Sequence, residues 1–301
     1  MMRVVLRVAW IGVTVAFAST LGVHAQTPRW WQQIPEYEPP KIQKLEAELL
    51  WRIPAREAVQ GAAVDADHVY AVANFALGKY DRQSGDRGAG WIGQRGGLIR
   101  HMNSCQVAPD ARLICAHSNF PELPMASSVE VFDTESMTHI GSHSLGFALG
   151  SLTWIERHQG AWWAGFAHYD GKGGEPGRPS RYASVARYDD GWRQTEQWLL
   201  PDSVLERLAP HAASGGSFGP EGLLYLTGHD RQELYVLDFP DRGSKLVHLA
   251  TIEIDIAGQA FAWDRSGADR IVVGINRPDR EIRAFRIPSV DPLPENARQQ
   301  H

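Results

Sequence analysis

The feature that most constrains the fold of this chain is a unit of about 45–60 residues that recurs five times. Each unit has a short strand of small residues, a polar turn, a strongly apolar strand, a loop and a third strand. The apolar strands mark the repeat most clearly and occupy residues 69–74, 113–117, 161–168, 222–229 and 270–276. Regularly spaced β-rich units with Asp and Gly in their turns are typical of propeller blades. The sequence therefore predicts an all-β fold, and it favours a five-bladed β-propeller over an open β-sandwich.

The two ends of the repeat array predict how the ring closes. Units one to four are followed by a more polar fourth strand, whereas unit five runs into Pro288, Pro292 and Pro294. A strand-like segment, residues 47–53, precedes the first unit, and we expect it to complete the last blade. This closure leaves no incomplete blade and fixes both chain ends. The expected organisation is an irregular leader at residues 26–45, a propeller at residues 46–290 and a polar tail at residues 291–301.

The first 25 residues have the features of a signal peptide. Arg3 and Arg7 form a positive n-region, residues 8–21 are largely apolar, and the segment 23–25 offers a cleavage site. The apolar run is shorter than the roughly 20 residues that a spanning helix needs, so cleavage is favoured over an uncleaved anchor. We expect a periplasmic or secreted protein with no stable membrane span after cleavage.

Export bears on the two cysteines of the chain. Cys105 and Cys115 bracket a turn centred on Asp110, which places them opposite each other on neighbouring strands. Facing Cβ atoms lie about 4.5–5.5 Å apart, and an oxidising compartment favours disulfides. Two free thiols packed as small apolar groups are the alternative, and we favour the disulfide.

The charge of the chain narrows the class of its partners. The whole chain has a net charge of −5, and cleavage of the signal peptide removes two arginines and no acidic residue. A mildly acidic protein without a cluster of Lys and Arg is poorly suited to bind nucleic acid or anionic lipid. The sequence favours a small-molecule or glycan ligand, and it does not indicate an oligomeric state.

A ring of polar residues ends the apolar strands. The five equivalent positions carry Asn74, His117, His168, His229 and Asn276. Three imidazoles with one open coordination position form a catalytic zinc pattern. Imidazole also suits copper, iron or nickel, and manganese is possible if a carboxylate or an amide joins. We therefore predict a divalent metal ion held by His117, His168 and His229 at the mouth of the channel. A metal-free pocket with the same histidines, or histidines with a structural role only, are the alternatives.

Further residues are expected on the same face of the propeller. Residues that open the first strands or end the second strands predict the substrate pocket: Gln60, Asn74, Asn103, Ser151, Ser217, Gln259 and Asn276. Long loops at residues 118–128 and 169–183 begin directly after a repeat histidine, and such loops commonly carry function. The candidate catalytic residues are Tyr169, His211 and Arg277, with Arg181 as a second arginine able to grip a carboxylate. Asp170 and Asp230 can orient an imidazole or complete a ligand set.

The first unit resembles the opening blade of plant-type glutaminyl cyclases, which are five-bladed propellers. The resemblance rests on residues 59–65 (Val-Gln-Gly-Ala-Ala-Val-Asp) and 78–85 (Gly-Lys-Tyr-Asp-Arg-Gln-Ser-Gly). A Glu-Gly-Trp-Gly-Leu segment of that family aligns with residues 257–261, where Ala257 replaces the glutamate. The chain also resembles, more loosely, bacterial secreted propellers related to lactonases and quinoprotein-like repeats, but it has few acidic residues for a calcium site. The resemblance therefore implies the fold rather than the cyclase reaction.

These observations give one leading functional hypothesis, one main alternative and, as a third possibility, a metal-free cyclase or lactonase. The leading hypothesis is an extracytoplasmic, metal-dependent hydrolase, lyase or isomerase that acts on a small polar or glycan-type substrate. The alternative is a non-catalytic propeller that binds a glycan, a peptide or a protein through the same face. Histidines that do not converge, together with aromatic residues on the outer edges of the blades, would favour the alternative.

Overall fold

The computed structural model describes residue 34 and residues 36–147, 149–256 and 258–294. The predicted signal peptide, Ala257 and the end of the chain from residue 295 lie outside the described residues. The chain divides into two units, Met1–Glu38 and Pro39–His301. The described residues of the first unit contain no helix or strand, so the fold is that of the second. In the described part of the chain, no helix is long and apolar enough to cross a membrane.

The described strands form five sheets, which confirms the predicted five-bladed β-propeller. Two strands precede the first blade: β1 (Gln43–Glu46) and β2 (Glu48–Pro54). Blade one contains β3 (Gly61–Val64), β4 (His68–Ala73), β5 (Ala76–Asp81) and β6 (Arg87–Ile92). Blade two contains β7 (His101–Val107), β8 (Arg112–Ser118), β9 (Ser127–Asp133) and β10 (His139–Gly146). Blade three contains β11 (Ser151–His158), β12 (Ala161–Ala167), β13 (Ser184–Tyr188) and β14 (Gln194–Leu199).

The remaining elements complete the ring. Blade four contains β15 (Gly215–Phe218), β16 (Leu224–Thr227), β17 (Glu233–Asp238) and β18 (Val247–Glu253). Blade five contains β19 (Ala262–Trp263), β20 (Ile271–Asn276) and β21 (Glu281–Arg286). A helix, α1 (Asp202–Leu208), lies in the connection from blade three to blade four, and a 3-10 turn covers Ser180–Tyr182. The innermost strands contact one another in the order β3, β7, β11, β15 and β19, and β19 returns to β3.

The ring closes as the sequence predicts. Strand β2 pairs antiparallel with β21, from Glu48 opposite Arg286 to Pro54 opposite Glu281. An additional strand is found in the segment expected to be an irregular leader, because β1 pairs in parallel with β18 of blade four. Its sequence, Gln-Lys-Leu-Glu, has one apolar side chain, Leu45, which packs against the core of that blade. A single apolar residue gives no alternation, so the pattern could not reveal this strand.

The core of the molecule lies between neighbouring blades. Because each blade packs against others on both faces, the middle strands are buried along nearly their whole length, as in β4, β8 and β16. The largest fully buried side chain is Trp154, whose indole occupies the space that a Cβ atom would take at Gly165 and at Gly216. This indole thus joins blade three to blade four by close packing.

The predicted pairing of the two cysteines is confirmed. Cys105 on β7 and Cys115 on β8 are directly opposed in the register of these strands and form a disulfide. Both residues are fully buried beside Leu113 and Phe132 in the core between blades one and two. The disulfide therefore fixes the innermost hairpin of a blade whose loops reach the mouth of the channel.

Candidate functional site

A cavity of about 510 Å³ lies at the end of the channel where the innermost strands begin. Its size suits a small-molecule ligand. Most of the site residues expected from the sequence line it, namely Gln60, Asn74, Asn103, Tyr169, His211, His229, Gln259 and Arg277. The loops predicted to cover the pocket contribute as well, through residues 119–122 and through Lys172.

Both ring nitrogens of His117 are hydrogen-bonded, so neither is free in this cavity. Its Nε2 accepts a hydrogen bond from the Arg100 backbone N–H at 2.9 Å, and its Nδ1 lies 2.8 Å from the Ser128 hydroxyl. The residue is 7% exposed. Burial is also the main reason that its pKa is lowered, with the carboxylate of Glu130 acting in the opposite direction. His117 therefore holds the connection from blade one to blade two against the strands of blade two.

His168 lies outside the cavity. Its Nε2 donates to the Leu149 carbonyl at 2.7 Å, and the ring borders a separate groove between the outer strands of blades two and three. The predicted metal set of His117, His168 and His229 is therefore not brought together. Among the described residues, one group of three or more His, Cys, Asp or Glu has ligand atoms within 4.8 Å of one another, and it consists of His211, His229 and Asp230. This group replaces the predicted set as the candidate metal site.

Four other predicted residues lie away from the cavity wall. Asn276 donates to Asp255 and accepts the Asp279 backbone N–H, so its amide is used within blade five and the adjoining loops. Ser217 accepts a hydrogen bond from Gln106. Ser151 is buried at the start of β11, and Arg181 is exposed on the 3-10 turn.

The candidate metal group is built around one carboxylate. Asp230 lies 2.6 Å from Nδ1 of His229 through one oxygen and 2.8 Å from Nδ1 of His211 through the other. The two imidazole rings stack with centroids 4.1 Å apart. Partial burial raises the pKa of Asp230, but the hydrogen bonds from His229 and His211 outweigh it and hold this pKa below its usual value. The Nε2 atoms of both rings make no hydrogen bond to another described residue.

Two local features of the chain place these histidines side by side. His211 follows α1 and is flanked by Leu208 and Ala212, which are buried in the core between blades three and four. His229 follows β16, where Gly258 of the next blade packs against its carbonyl group. A Cβ atom at position 258 would collide with that backbone, and the φ of Gly258 is +60°. Glycine is therefore required for this approach of blade five to blade four.

Side-chain amides form another part of the cavity wall. Gln60 donates to Asn74 at 2.6 Å, and Asn103 donates to the Leu152 carbonyl at 2.9 Å. Gln259 is 3% exposed and borders the same cavity. Each amide carries both donors and an acceptor, so this wall can bind hydroxyl groups, which have the same dual character.

Aromatic and titratable groups complete the wall. The ring of Phe120 lies between those of His101 and Tyr169, with centroids 5.0 Å and 4.9 Å away. Burial, and then repulsion from His117, Arg277 and His229, lower the pKa of His101 to about 4. Burial also raises the pKa of Tyr169 to about 12. Both side chains are therefore uncharged at neutral pH.

Sequence reasoning missed several residues of the cavity, including His101, Phe120 and Lys172. His101 begins the innermost strand of blade two, close to the position that Gln60 has in blade one, and this equivalence is a signal that the sequence does contain. Phe120 and Lys172 lie within the two long loops predicted to cover the pocket. Their loops were predictable, but the residues that turn inward were not.

Comparison with known proteins adds evidence on the fold. No family model and no curated protein matches the chain. The structure is similar to that of a Myxococcus xanthus glutaminyl cyclase, with 10% identity, a TM-score of 0.54, and coverage of 83% of this chain and 100% of that chain. It is also similar to a luciferin-regenerating enzyme, with 11% identity, a TM-score of 0.46, and coverage of 83% and 94%. At this level of identity, the similarity to the cyclase shows a shared propeller fold and no more.

Proposed function

We propose that this protein is an extracytoplasmic, metal-dependent enzyme whose active site is the cavity at the mouth of the channel. A divalent ion, of zinc, manganese, iron or copper, is bound by Nε2 of His211 and Nε2 of His229. One observation carries the proposal: a single carboxylate, Asp230, hydrogen-bonds the Nδ1 atoms of two stacked imidazoles beside a cavity of substrate size. Metal-binding histidines commonly have such a carboxylate behind them, which fixes the tautomer and the ring orientation.

The chemistry follows from the groups around the cavity. When bound, the metal would polarise a substrate oxygen or activate a water molecule. At neutral pH Tyr169 is protonated, and its raised pKa suits a hydrogen-bond donor to a substrate oxygen better than a proton donor. His101 is neutral at the same pH, and its lowered pKa suits a hydrogen-bond acceptor better than a general base. These roles fit a hydrolase, a lyase or an isomerase acting on a small polar substrate.

Two further observations support parts of this proposal. The disulfide between Cys105 and Cys115 fits an oxidising compartment. The fold is similar to that of an enzyme, a glutaminyl cyclase, so a propeller of this kind can carry an active site. We do not propose the cyclase reaction, because Ala257 occupies the position of the glutamate in that family's motif.

Elemental analysis of untagged, purified protein tests the proposal. After incubation with each metal and dialysis, we expect one bound ion per chain, and we expect His211→Ala and His229→Ala to abolish binding. His68→Ala is the matched control, because His68 also lies beside a carboxylate, Asp65, but with Nδ1 3.5 Å away and without a second imidazole. Wild-type protein that retains none of the four metals would overturn the proposal.

One observation favours the alternative, a non-catalytic binding propeller. The groove between the outer strands of blades two and three is lined by Tyr182, Tyr188 and Trp192, and Tyr182 is 49% exposed. Exposed aromatic side chains on a blade edge suit a glycan or a peptide. Binding of soluble oligosaccharides that is lost in Tyr182→Ala but kept in His229→Ala would support this second function.

A further inference from the structure

The backbone of Gln259 is unusual for its position in the fold. Its φ is +85°, in the left-handed region that costs a non-glycine residue free energy. The other described non-glycine residues with positive φ lie in the tight turns that join neighbouring strands of a blade: Ala111, Met137, Gln159, Trp192 and Arg280. Gln259 instead lies between two blades, on the wall of the cavity.

Neighbouring residues hold Gln259 in this conformation. Its backbone N–H donates to the Gly228 carbonyl at 2.8 Å, and its own carbonyl accepts the Thr227 hydroxyl at 2.6 Å. The next residue, Ala260, donates its N–H to the Gln60 carbonyl at 2.9 Å. Glycine would adopt the same conformation without strain. The presence of glutamine therefore indicates a use for its side chain.

That side chain is available to a ligand. Gln259 is buried and borders the cavity, yet its amide makes no hydrogen bond to another described residue. The neighbouring pair of Gln60 and Asn74 is joined by one hydrogen bond, which leaves the Gln60 oxygen and the Asn74 amino group without partners among the described residues. These amide atoms belong to residues that border the cavity, so a ligand or water there can satisfy them.

The charges that border the cavity add a second requirement. Arg100 is paired with Glu122, and Asp230 is hydrogen-bonded by two histidines. Arg277 and Lys172 have no ion-pair partner among the described residues. The charges left without a partner are therefore positive, which favours a negatively charged ligand. A guanidinium group binds a carboxylate through two parallel hydrogen bonds.

We propose that the cavity selects a small carboxylate that also carries hydroxyl groups. Arg277 and Lys172 bind the carboxylate, and Gln259 binds a hydroxyl group together with the pair of Gln60 and Asn74. This inference uses the cavity of the proposed function and names its substrate class. Recognition by these residues does not require the metal, so the two proposals can fail separately.

Isothermal titration of untagged protein with matched probes tests the substrate class. Gluconate is compared with sorbitol, glucuronate with glucose, and glycerate with glycerol, while butyrate provides a carboxylate without hydroxyl groups. We expect at least one hydroxylated acid to bind at least about tenfold more tightly than its neutral match and than butyrate. If no acid binds more tightly than its neutral match, the inference is wrong, whatever metal the protein contains.

Substitutions then test the individual residues. Gln259→Gly relieves the backbone strain, so we expect an unchanged or higher Tm but about 10- to 100-fold weaker binding of the selected acid. Ala111→Gly is the matched control, because it relieves a similar φ of +58° in a turn far from the cavity and should leave binding unchanged. Arg277→Gln should remove the preference for the acid over its neutral match.

The outcomes against the inference are equally specific. Full affinity in Gln259→Gly would show that the strained residue does not serve recognition. An unchanged preference for the acid in Arg277→Gln would exclude this guanidinium as the carboxylate partner. Both variants should bind as much metal as the wild type, and a metal-free wild type that still selects the acid would overturn only the proposed metal site.

Discussion

Replacement of Asp230 by asparagine gives the most informative single test of the candidate metal site. The carboxylate accepts one hydrogen bond from His229 and one from His211, each through a different oxygen. An asparagine side chain has one acceptor oxygen and one amino group, so it can accept from one imidazole only. The second imidazole must either change its tautomer, which places the proton on Nε2, or rotate, which turns Nε2 away. Either change removes the Nε2 lone pair from the metal.

The size of this effect follows from the role of the carboxylate. Loss of a group that orients metal-binding histidines weakens metal binding by about 10- to 100-fold, which corresponds to about 1.4–2.7 kcal/mol. The loss is smaller than that of a ligand, because both Nε2 atoms are still present. The contacts of Asp230 with His211 and His229 add little to the free energy of unfolding, since Asp230 is half exposed and solvent screens its charge.

A competition titration against a chromophoric chelator measures the affinity of each variant. Asp170→Asn is the matched control, because Asp170 is an acidic residue on the same face that accepts hydrogen bonds from the backbone and hydroxyl of Ser180. In a double-mutant cycle, Asp230→Asn should have a smaller effect in a His211→Ala background than in the wild type. Equal metal affinity in Asp230→Asn and in the wild type would refute the idea that the carboxylate orients the two imidazoles.

Three further predictions concern the scaffold. Replacing Cys105 and Cys115 by alanine should lower the free energy of unfolding by about 2–4 kcal/mol in denaturant titrations, and an unchanged midpoint would contradict a formed disulfide. Burial lowers the pKa of His248 from 6.5 to about 4, so protonation of this group should destabilise the protein as the pH falls from 6.5 towards 4. A fall in Tm over this pH range that is equally steep in His248→Gln would contradict this role of His248. Deleting residues 1–46 should preserve one cooperative unfolding transition in calorimetry. Deleting residues 1–54 should abolish this transition, because it removes the outer strand of blade five. Cooperative unfolding of both shortened proteins would disprove this closure.

Much of the fold could be predicted from the sequence because its determinants are local. The middle strand of each blade is covered on both faces, so each unit must contain an uninterrupted apolar run. The missing fourth strand of unit five and the spare segment at residues 47–53 made the closure predictable as well. The facing cysteines followed from the length of one hairpin. Strand β1 was not predicted, because Leu45 is the only apolar residue among its four.

The candidate metal site could not be predicted in the same way. The repeat placed His117, His168 and His229 at equivalent ends of strands, but it did not determine which groups their nitrogens would meet. Backbone groups of Arg100 and Leu149 bind two of these rings. The partner of His229 is His211, which comes from the connection between two blades, where no repeat signal exists.

The sequence by itself thus determined the five-bladed scaffold, its closure by residues 47–53 and the face on which polar residues collect. Burial of apolar strands produced these features, and burial leaves a periodic pattern in the chain. Only the tertiary structure decided that His211, His229 and Asp230 form one group and that Gln259 is held with a positive φ at the cavity wall. Both features depend on hydrogen bonds and close contacts between segments distant in sequence, and such contacts follow no periodic pattern.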